Sequence, residues 1–338
     1  MTKSLLVLGG TRFVGRAVVE AAVGRGWQVT MLHQGTRAAP AGVAEDVVAD
    51  RTAPDGLDAL PSRRWDAVVD TWAGDSQVVR RSAGFLRDKV DRYVYVSSRS
   101  VYAWPAPDGA DESAPLVGAA APGVEPSYPQ RKRAGEEAVL AAFPDDSIVA
   151  RAGVLLGPWE HPGRLPWWLA RLASGGEVPV PGTPDVDLQY LDARDLADWL
   201  LRAVDAGTTG IFNAVGPIGG TTMGALMAAC LKATGSAARL RWIDPGVVLE
   251  SGLTAWEDLP LWLPPGPLHA GLYRGDVSAA HATGLVERPL EETVDDTWRW
   301  MNGEEGRRAC AEITLGMKPE DEIRLLRDAA GTKPPPEG

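Results

Sequence analysis

The strongest constraint on this chain is its opening. A largely apolar run, Ser4–Leu8, breaks at Gly9-Gly10-Thr11-Arg12-Phe13-Val14-Gly15, and helical periodicity follows over Arg12–Val23. A buried strand that leads through glycines into a helix is the first unit of a parallel sheet, because a parallel neighbour needs a crossover connection. The first glycine permits a tight turn, and the last lets helix and strand pack closely. The N–H groups at the helix start, aided by the helix dipole, suit a pyrophosphate. A glycine turn alone is weak evidence of a ligand. Its placement between the first strand and first helix of an alternating chain gives it weight.

The alternation continues. Gln28–His33, Asp46–Ala49, Ala67–Thr71, Arg92–Val96 and Ile148–Arg151 read as further strands, with helical patterns between several of them. This order predicts an α/β fold: a doubly wound parallel sheet of the Rossmann type, with a smaller C-terminal substrate lobe. A loop rich in Pro, Gly, Ala and Asp spans residues 104–126, and a helix is expected from Tyr128 to about Ala142. Ser127 is its N-cap, Gln130 completes a capping box, and Pro129 falls in the first turn.

Beyond Gly157, proline and tryptophan become frequent. Val186–Leu191, Ile211–Ala214 and Arg239–Ile243 are expected strands; Asp192–Val204, Thr222–Ala233, Leu290–Met301 and Pro319–Ala329 are expected helices. The expected organisation is a dinucleotide-binding domain over residues 1–157, with residues 186–215 returning to it. Residues 158–330 form mainly the substrate lobe, and residues 331–338 a disordered, proline-rich tail.

Composition narrows the function classes. The 338 residues carry a formal net charge of -11. A chain that binds nucleic acid through phosphate contacts is more often basic, so no nucleic-acid partner is expected. Cys230 and Cys310 lie far apart with no C-x-x-C spacing, which suggests neither a disulfide framework nor a zinc site. His33, His161, His269 and His281 show no ligand spacing, so no metal is expected. No apolar stretch is long enough to span a bilayer. The expectation is a cytoplasmic protein with a small-molecule substrate and no membrane partner.

The candidate chemistry lies on two segments. Tyr128 and Lys132 are four residues apart on one expected helix and so share a face. A free phenol titrates near 10, too high for a good base at neutral pH. A neighbouring ammonium stabilises the phenolate, so Tyr128 can take a proton from an alcohol or give one to a ketone. Lys132 can also bond a nicotinamide ribose. Ser97-Ser98-Arg99-Ser100-Val101-Tyr102 follows the fifth strand, at the carboxyl edge where α/β sheets bind ligands. Ser98 can hydrogen-bond a substrate oxygen there, with Ser97 beside it on the cofactor side. Each signal has a plainer reading: a Tyr-x-x-x-Lys arises by chance, and a serine cluster after a strand is often a turn. Their order behind the glycine turn makes the combination far stronger than any one part.

The second strand ends at His33-Gln34-Gly35-Thr36-Arg37, without the Asp or Glu that binds the adenosine ribose in NAD-specific sites. Arg37, with Arg12, can instead meet a 2′-phosphate, which favours NADP over NAD. Arg12 replaces the usual middle glycine; contact with phosphate and a surface position are both open.

Together these segments resemble the extended type of the short-chain dehydrogenase/reductase family, also known as the NAD-dependent epimerase/dehydratase family. The resemblance rests on the glycine turn, on residues 97–102, on Tyr128-Pro129-Gln130-Arg131-Lys132 and on Asp192-Ala193-Arg194-Asp195-Leu196-Ala197, and extends to about Met301. It implies Ser98 as the catalytic Ser/Thr, Tyr128 as acid/base and Lys132 as its partner. It implies that Gly9, Thr11, Phe13, Val14 and Gly15 form the pyrophosphate turn, and that Asp50 and Arg51 meet adenine. Trp72, Ala73 and Gly74 would line the cofactor, Ala152, Gly153 and Val154 would approach the nicotinamide, and a homodimer is expected.

Departures limit the carry-over. The 4,6-dehydratases of the family have Asp-Glu where this chain has Arg99 and Ser100, and nucleotide-sugar epimerases place Asn where it has Val154. Both weaken a sugar-nucleotide reading. The Gly-Gly-Thr-Arg-Phe turn is also similar to that of a chloroplast stem-loop RNA-binding group, but the acidic charge and the intact Ser98, Tyr128 and Lys132 oppose that role.

On the substrate side, Trp104, Trp159 and Trp168, with Trp72 and Trp167, fall near the expected carboxyl edge and suit a flat or sugar-like ring. Packing of the smaller lobe is the plainer use for any one of them. Arg164 and Gln189 are further candidates. Three functions stay open: an oxidoreductase interconverting a secondary alcohol and a ketone on a small sugar-like or natural-product substrate, a redox-neutral epimerase of a sugar or nucleotide sugar with tightly held NAD, and a non-catalytic dinucleotide sensor.

Overall fold

The computed structural model describes residues 2–331. By its internal contacts the chain divides into two units. The first holds the residues up to Leu155 together with Tyr190–Pro217 and Gly275–Glu287; the second holds Leu156–Gln189, Ile218–Arg274 and the described chain from Arg288 onward.

The first unit is built on a seven-stranded sheet. Its strands are β1 (Ser4–Leu8), β2 (Gln28–His33), β3 (Glu45–Val48), β4 (Ala67–Asp70), β5 (Tyr93–Ser98), β6 (Ser147–Ala152) and β7 (Gly210–Ala214). They pair in the order β7-β6-β5-β4-β1-β2-β3, parallel throughout. The order reverses beside β1, so the crevice at the carboxyl ends of β1 and β4 is the natural ligand position.

The sheet is apolar on both faces because helices cover both. On one face Leu5, Val7, Val29, Met31, Val94 and Ile148 pack with helices α1 (Phe13–Gly24) and, later in the chain, 193–205. On the other Leu6, Leu8, Leu32, Val68, Tyr93 and Tyr95 pack with α2 (Ser76–Leu86) and α3 (Tyr128–Ala142). The alternation of Leu5 and Val7 against Leu6 and Leu8 is the two-residue period of a strand. Gln130 Oε1 accepts the Ser127 N–H at 2.9 Å, which closes the start of α3 and sets where Tyr128 enters it.

Most expected elements occur with ends shifted by a residue or two, where capping decides. Three differences are larger. Val186–Leu191 is two short strands, Asp187–Leu188 and Tyr190–Asp192, and the first pairs antiparallel with Thr221–Thr222. Arg239–Ile243 pairs with Glu177–Pro181, a strand hidden from sequence reading by Pro179 and Pro181. Arg164–Ala173, in the tryptophan-rich stretch, is a helix with Pro166 in its first turn. Gly275–Glu287, from the stretch assigned by sequence to the substrate lobe, belongs to the first unit, where the Asp276 carbonyl accepts Asn213 Nδ2 at 2.8 Å. Gly331 closes the last helix, Pro319–Gly331, and the rest of the expected tail lies outside the described residues.

Candidate active site

The turn after β1 is built from backbone that side chains would obstruct. Gly9 and Gly10 take φ of +116° and +105°. A Cβ on Gly9 would lie 2.7 Å from Thr71 Oγ1, and one on Gly15 would lie 2.7 Å from the Gly10 nitrogen. The glycines thus allow α1 to press against the turn and the turn against the end of β4. Arg12 is the extended N-cap of α1 and supplies no side-chain cap. Phe13 and Val14 bury their side chains in the core beneath it.

A cavity of about 470 Å³ opens above this turn. Its lining includes Gly9, Gly10, Thr11, Arg12, His33, Gln34, Thr36, Arg51, Trp72 and Ala73. It contains no carboxylate. His33 accepts the Gly35 N–H on Nδ1 at 3.2 Å, so its proton sits on Nε2, 2.6 Å from Asp46 Oδ1. Arg37 is not in the lining, whereas Arg12 is. The phosphate role read for that pair from sequence therefore has one cation at the cavity wall.

Of Asp50 and Arg51, for which the resemblance implies contact with adenine, Arg51 lines the cavity. The exposed Asp50 accepts hydrogen bonds from Gln34, Thr52 N–H and Thr52 Oγ1, which hold its carboxyl below the usual range. Arg51 is buried and engages Asp70 with both ends of its fork at 2.7 Å, with Nη2 also donating to Ser82. Its face lies 5.3 Å from the Trp72 ring. It meets the cavity as a wall, its fork already committed.

The catalytic candidates converge at the same edge of the sheet. Ser98 ends β5, and its Oγ accepts the Ser100 N–H at 3.1 Å. Tyr128 opens α3 and is 41% exposed. Lys132, one turn on, is only 3% exposed. Its ammonium donates to the carbonyls of Trp72 at 2.6 Å and Val96 at 2.7 Å, and lies 4.9 Å from the Tyr95 ring centre. Burial pulls its pKa down to about 8, against the opposing pull of Asp70 and Glu136.

Ser97, expected on the cofactor side, turns its hydroxyl into the interior. Its Oγ donates to Glu136 Oε1 at 2.5 Å, because adjacent strand residues face opposite ways. Glu136 is clasped by Arg151 at 2.8 Å, and Arg151 reaches Tyr102, whose phenol donates to Asn213. This buried network, like Arg51–Asp70, was missed from sequence. The available signal was a charge inside an apolar strand, in Ala67–Asp70 and Ser147–Ala152, since a charge there must find a partner.

The other candidates separate. Trp72 and Ala73 line the cavity, while Gly74 lies under the Trp72 ring, 2.9 Å from it if given a Cβ. Ala152 ends β6; Gly153 donates to the Ala214 carbonyl and has Val215 where a side chain would go; Val154 is buried. Trp104 is exposed in its loop. In the second unit, Trp159 stacks near Trp300 at 5.4 Å, and Arg164 pairs with the buried Glu160 and covers Trp256. Trp168 is fully buried with its N–H given to the Pro260 carbonyl at 2.8 Å, so it packs that unit's core; Gln189 is also buried. Among the described residues no cluster of three metal-ligating side chains occurs, and no helix is long and apolar enough to cross a membrane.

Comparison with known proteins decides the family. The model of the NAD-dependent epimerase/dehydratase family matches residues 5–215. The chain belongs to that family. The glycine turn and the Tyr128–Lys132 helix lie within the family's match. Its fold is similar to that of an epimerase from Methanothermobacter thermautotrophicus (TM-score 0.69, 16% identity, covering 92% of this chain and 95% of the other). It is similar to the enzyme WbmH of Bordetella bronchiseptica in complex with NAD+ (TM-score 0.64, 18% identity, 90% and 100% covered). A curated relative, the chloroplast stem-loop binding protein of 41 kDa b from Arabidopsis thaliana, is 26% identical over 250 residues. That match covers 69% of this chain and 64% of the relative, so the chain spans less than two thirds of the relative's length.

Proposed function

We propose that this family member is an NAD(P)-dependent oxidoreductase that interconverts a secondary alcohol and a ketone on a small sugar-like or natural-product substrate. The observation that carries this reading is Lys132, buried at the carboxyl edge of the sheet one helical turn from Tyr128, with its pKa drawn to about 8. When bound, the nicotinamide supplies or accepts the hydride. The residues of the chain do the rest. Ser98 holds the substrate oxygen, and the Tyr128 hydroxyl moves its proton. Lys132, while charged, lowers the cost of the phenolate. In the direction of ketone reduction Tyr128 Oη donates the proton, and in alcohol oxidation it accepts one.

The turn at Gly9, Gly10 and Gly15 fits a dinucleotide, since a Cβ at Gly9 or Gly15 would meet an atom at 2.7 Å and close the cradle. Thr11, Arg12 and the start of α1 would hold its phosphates, and Trp72 and Ala73 its flank. NADP is favoured over NAD because Arg12 lines the cavity and no carboxylate does. The relatives solved with NAD+ support the cofactor class. Tighter binding of NADP+ than NAD+ in calorimetry, weakened by Arg12→Ala, is the expected result. Equal affinities unchanged in that variant would remove the preference.

Family membership supports a second reading, a redox-neutral epimerase that keeps its NAD. Denaturing the purified protein separates the two. Stoichiometric release of NAD favours epimerisation, while a cofactor-free protein that consumes NADPH with a ketone favours the reductase. A non-catalytic sensor is the third reading, and Tyr128→Phe without effect on a measured activity would favour it. The net charge of -11 supports a small molecule rather than the stem-loop named for the plant relative. A cytoplasmic homodimer completes the proposal, with its mass in light scattering as the check.

A further inference from the structure

Lys132 lies between two buried ion pairs, and one of them is tied to it through a single residue. Asp70, fully buried at the end of β4, accepts both ends of the Arg51 guanidinium at 2.7 Å. The same carboxylate accepts the Trp72 N–H at 2.9 Å and the Tyr93 phenol at 2.7 Å. The carbonyl of that same Trp72 then accepts the Lys132 ammonium at 2.6 Å. On the other side, Glu136 stands one turn after Lys132 and is held by Arg151 at 2.8 Å.

We infer that Asp70 and Arg51 are positioning residues for the Lys132 ammonium, acting through the Trp72 backbone. The functional meaning of this inference rests on the hydride-transfer reading above, but its test does not. Two neutral carbonyls hold the ammonium, and a buried cation also needs nearby negative charge. The groups facing it are Asp70 from β4, Arg51 from the turn after β3, Tyr95 from β5, and Glu136 and Tyr128 from its own helix; Arg151 of β6 acts on Glu136. Asp70 gives the largest stabilisation of the charged form, Glu136 the next, and Arg51 opposes both. Asp70 thus has two duties. It pins the N–H of Trp72, which sets where the Trp72 carbonyl meets the ammonium, and its charge holds the proton there. Arg51 keeps Asp70 ionised and braces the Trp72 ring, so the cavity wall and the seat of the lysine are one construction.

The test is an NMR titration of Lys132 in the cofactor-free protein, labelled at lysine Cε and assigned with Lys132→Met. In the wild type the midpoint is expected near 8. Asp70→Asn keeps the shape, removes the charge, and is expected to lower the midpoint by about one pH unit or more. The Arg51→Met/Asp70→Asn double variant removes the ion pair without stranding the Arg51 charge, and its midpoint should fall between the other two. It also serves if the single variant does not fold. A wild-type midpoint at the ordinary lysine value overturns the inference, as does a folded Asp70→Asn or double variant that titrates with the wild type. In turnover, the alkaline loss of kcat should move down with the midpoint; a kcat lowered equally at every pH overturns the positioning role. A wild type with no NAD(P)-dependent turnover sinks the hydride-transfer reading, yet the NMR midpoints still decide this one.

Discussion

The carboxyl edge of the sheet and the tryptophan segment 159–168 both carry residues that sequence marks for function, and they use them in opposite ways. At the sheet edge the marked groups are polar and committed to positions the backbone dictates. Tyr128 is 41% exposed, and Lys132 is buried but bonded to two carbonyls. In the tryptophan segment the marked Trp168 is fully enclosed, packed edge-on against Trp167 at 4.7 Å. A polar side chain must be satisfied wherever the fold puts it, so its neighbours reveal its purpose. An indole is mostly apolar volume with a single N–H, which in Trp168 a backbone carbonyl satisfies, so a tryptophan in a promising segment is as ready to fill a core as a pocket.

The widest separation between the two regions should appear in paired variants. Tyr128→Phe is expected to cut kcat by about 10²–10⁴-fold, as loss of a positioned acid/base does, while thermal unfolding stays near the wild type. Trp168→Ala is expected to lower stability by about 3–5 kcal/mol through the cavity it leaves, read in denaturant unfolding. A Trp168→Ala protein as stable as the wild type but deficient in substrate binding would erase the contrast.

The pH dependence sharpens it next. Lys132 titrates near 8 when folded, against an ordinary value of 10.5, so between these limits the unfolded chain holds the proton that the native chain has lost. Stability relative to Lys132→Met should therefore rise with pH across that window, by about 1–3 kcal/mol in all. Turnover should fall over the same range, because the ammonium is then gone. Parallel loss of both would show that Lys132 is structural only.

Smaller effects follow. Gly15→Ala presses a methyl onto the Gly10 nitrogen at 2.7 Å; about 1–3 kcal/mol of strain should appear as weaker dinucleotide binding in calorimetry. Trp104→Ala, at an exposed position, should change stability by less than about 0.5 kcal/mol, and any rise in KM would place that ring beside substrate.

Much of the first unit was legible because its signals are local. Strand periodicity, the glycine turn and the Ser127–Gln130 cap need only neighbouring residues, and the parallel sheet follows from their order. The second unit was less legible. The strand Glu177–Pro181 depends on Arg239–Ile243, far along the chain, and its prolines conceal it. The helix Arg164–Ala173 looked like pocket lining because tryptophan dominates it. The Arg51–Asp70 pair was not legible, since Asp70 is distant in sequence and adjacent only across the sheet.

The sequence by itself determined the doubly wound sheet, the turn for a pyrophosphate, and a tyrosine and lysine sharing one helical face, because each rests on contacts within a few residues. Only the tertiary structure decided that Ser97 turns to Glu136, that Arg51 is spent on Asp70, and that Trp72 offers its carbonyl to Lys132. Those choices arise where strands distant in the chain meet in a low-dielectric interior, and there every buried charge must be matched by whichever group the fold brings alongside.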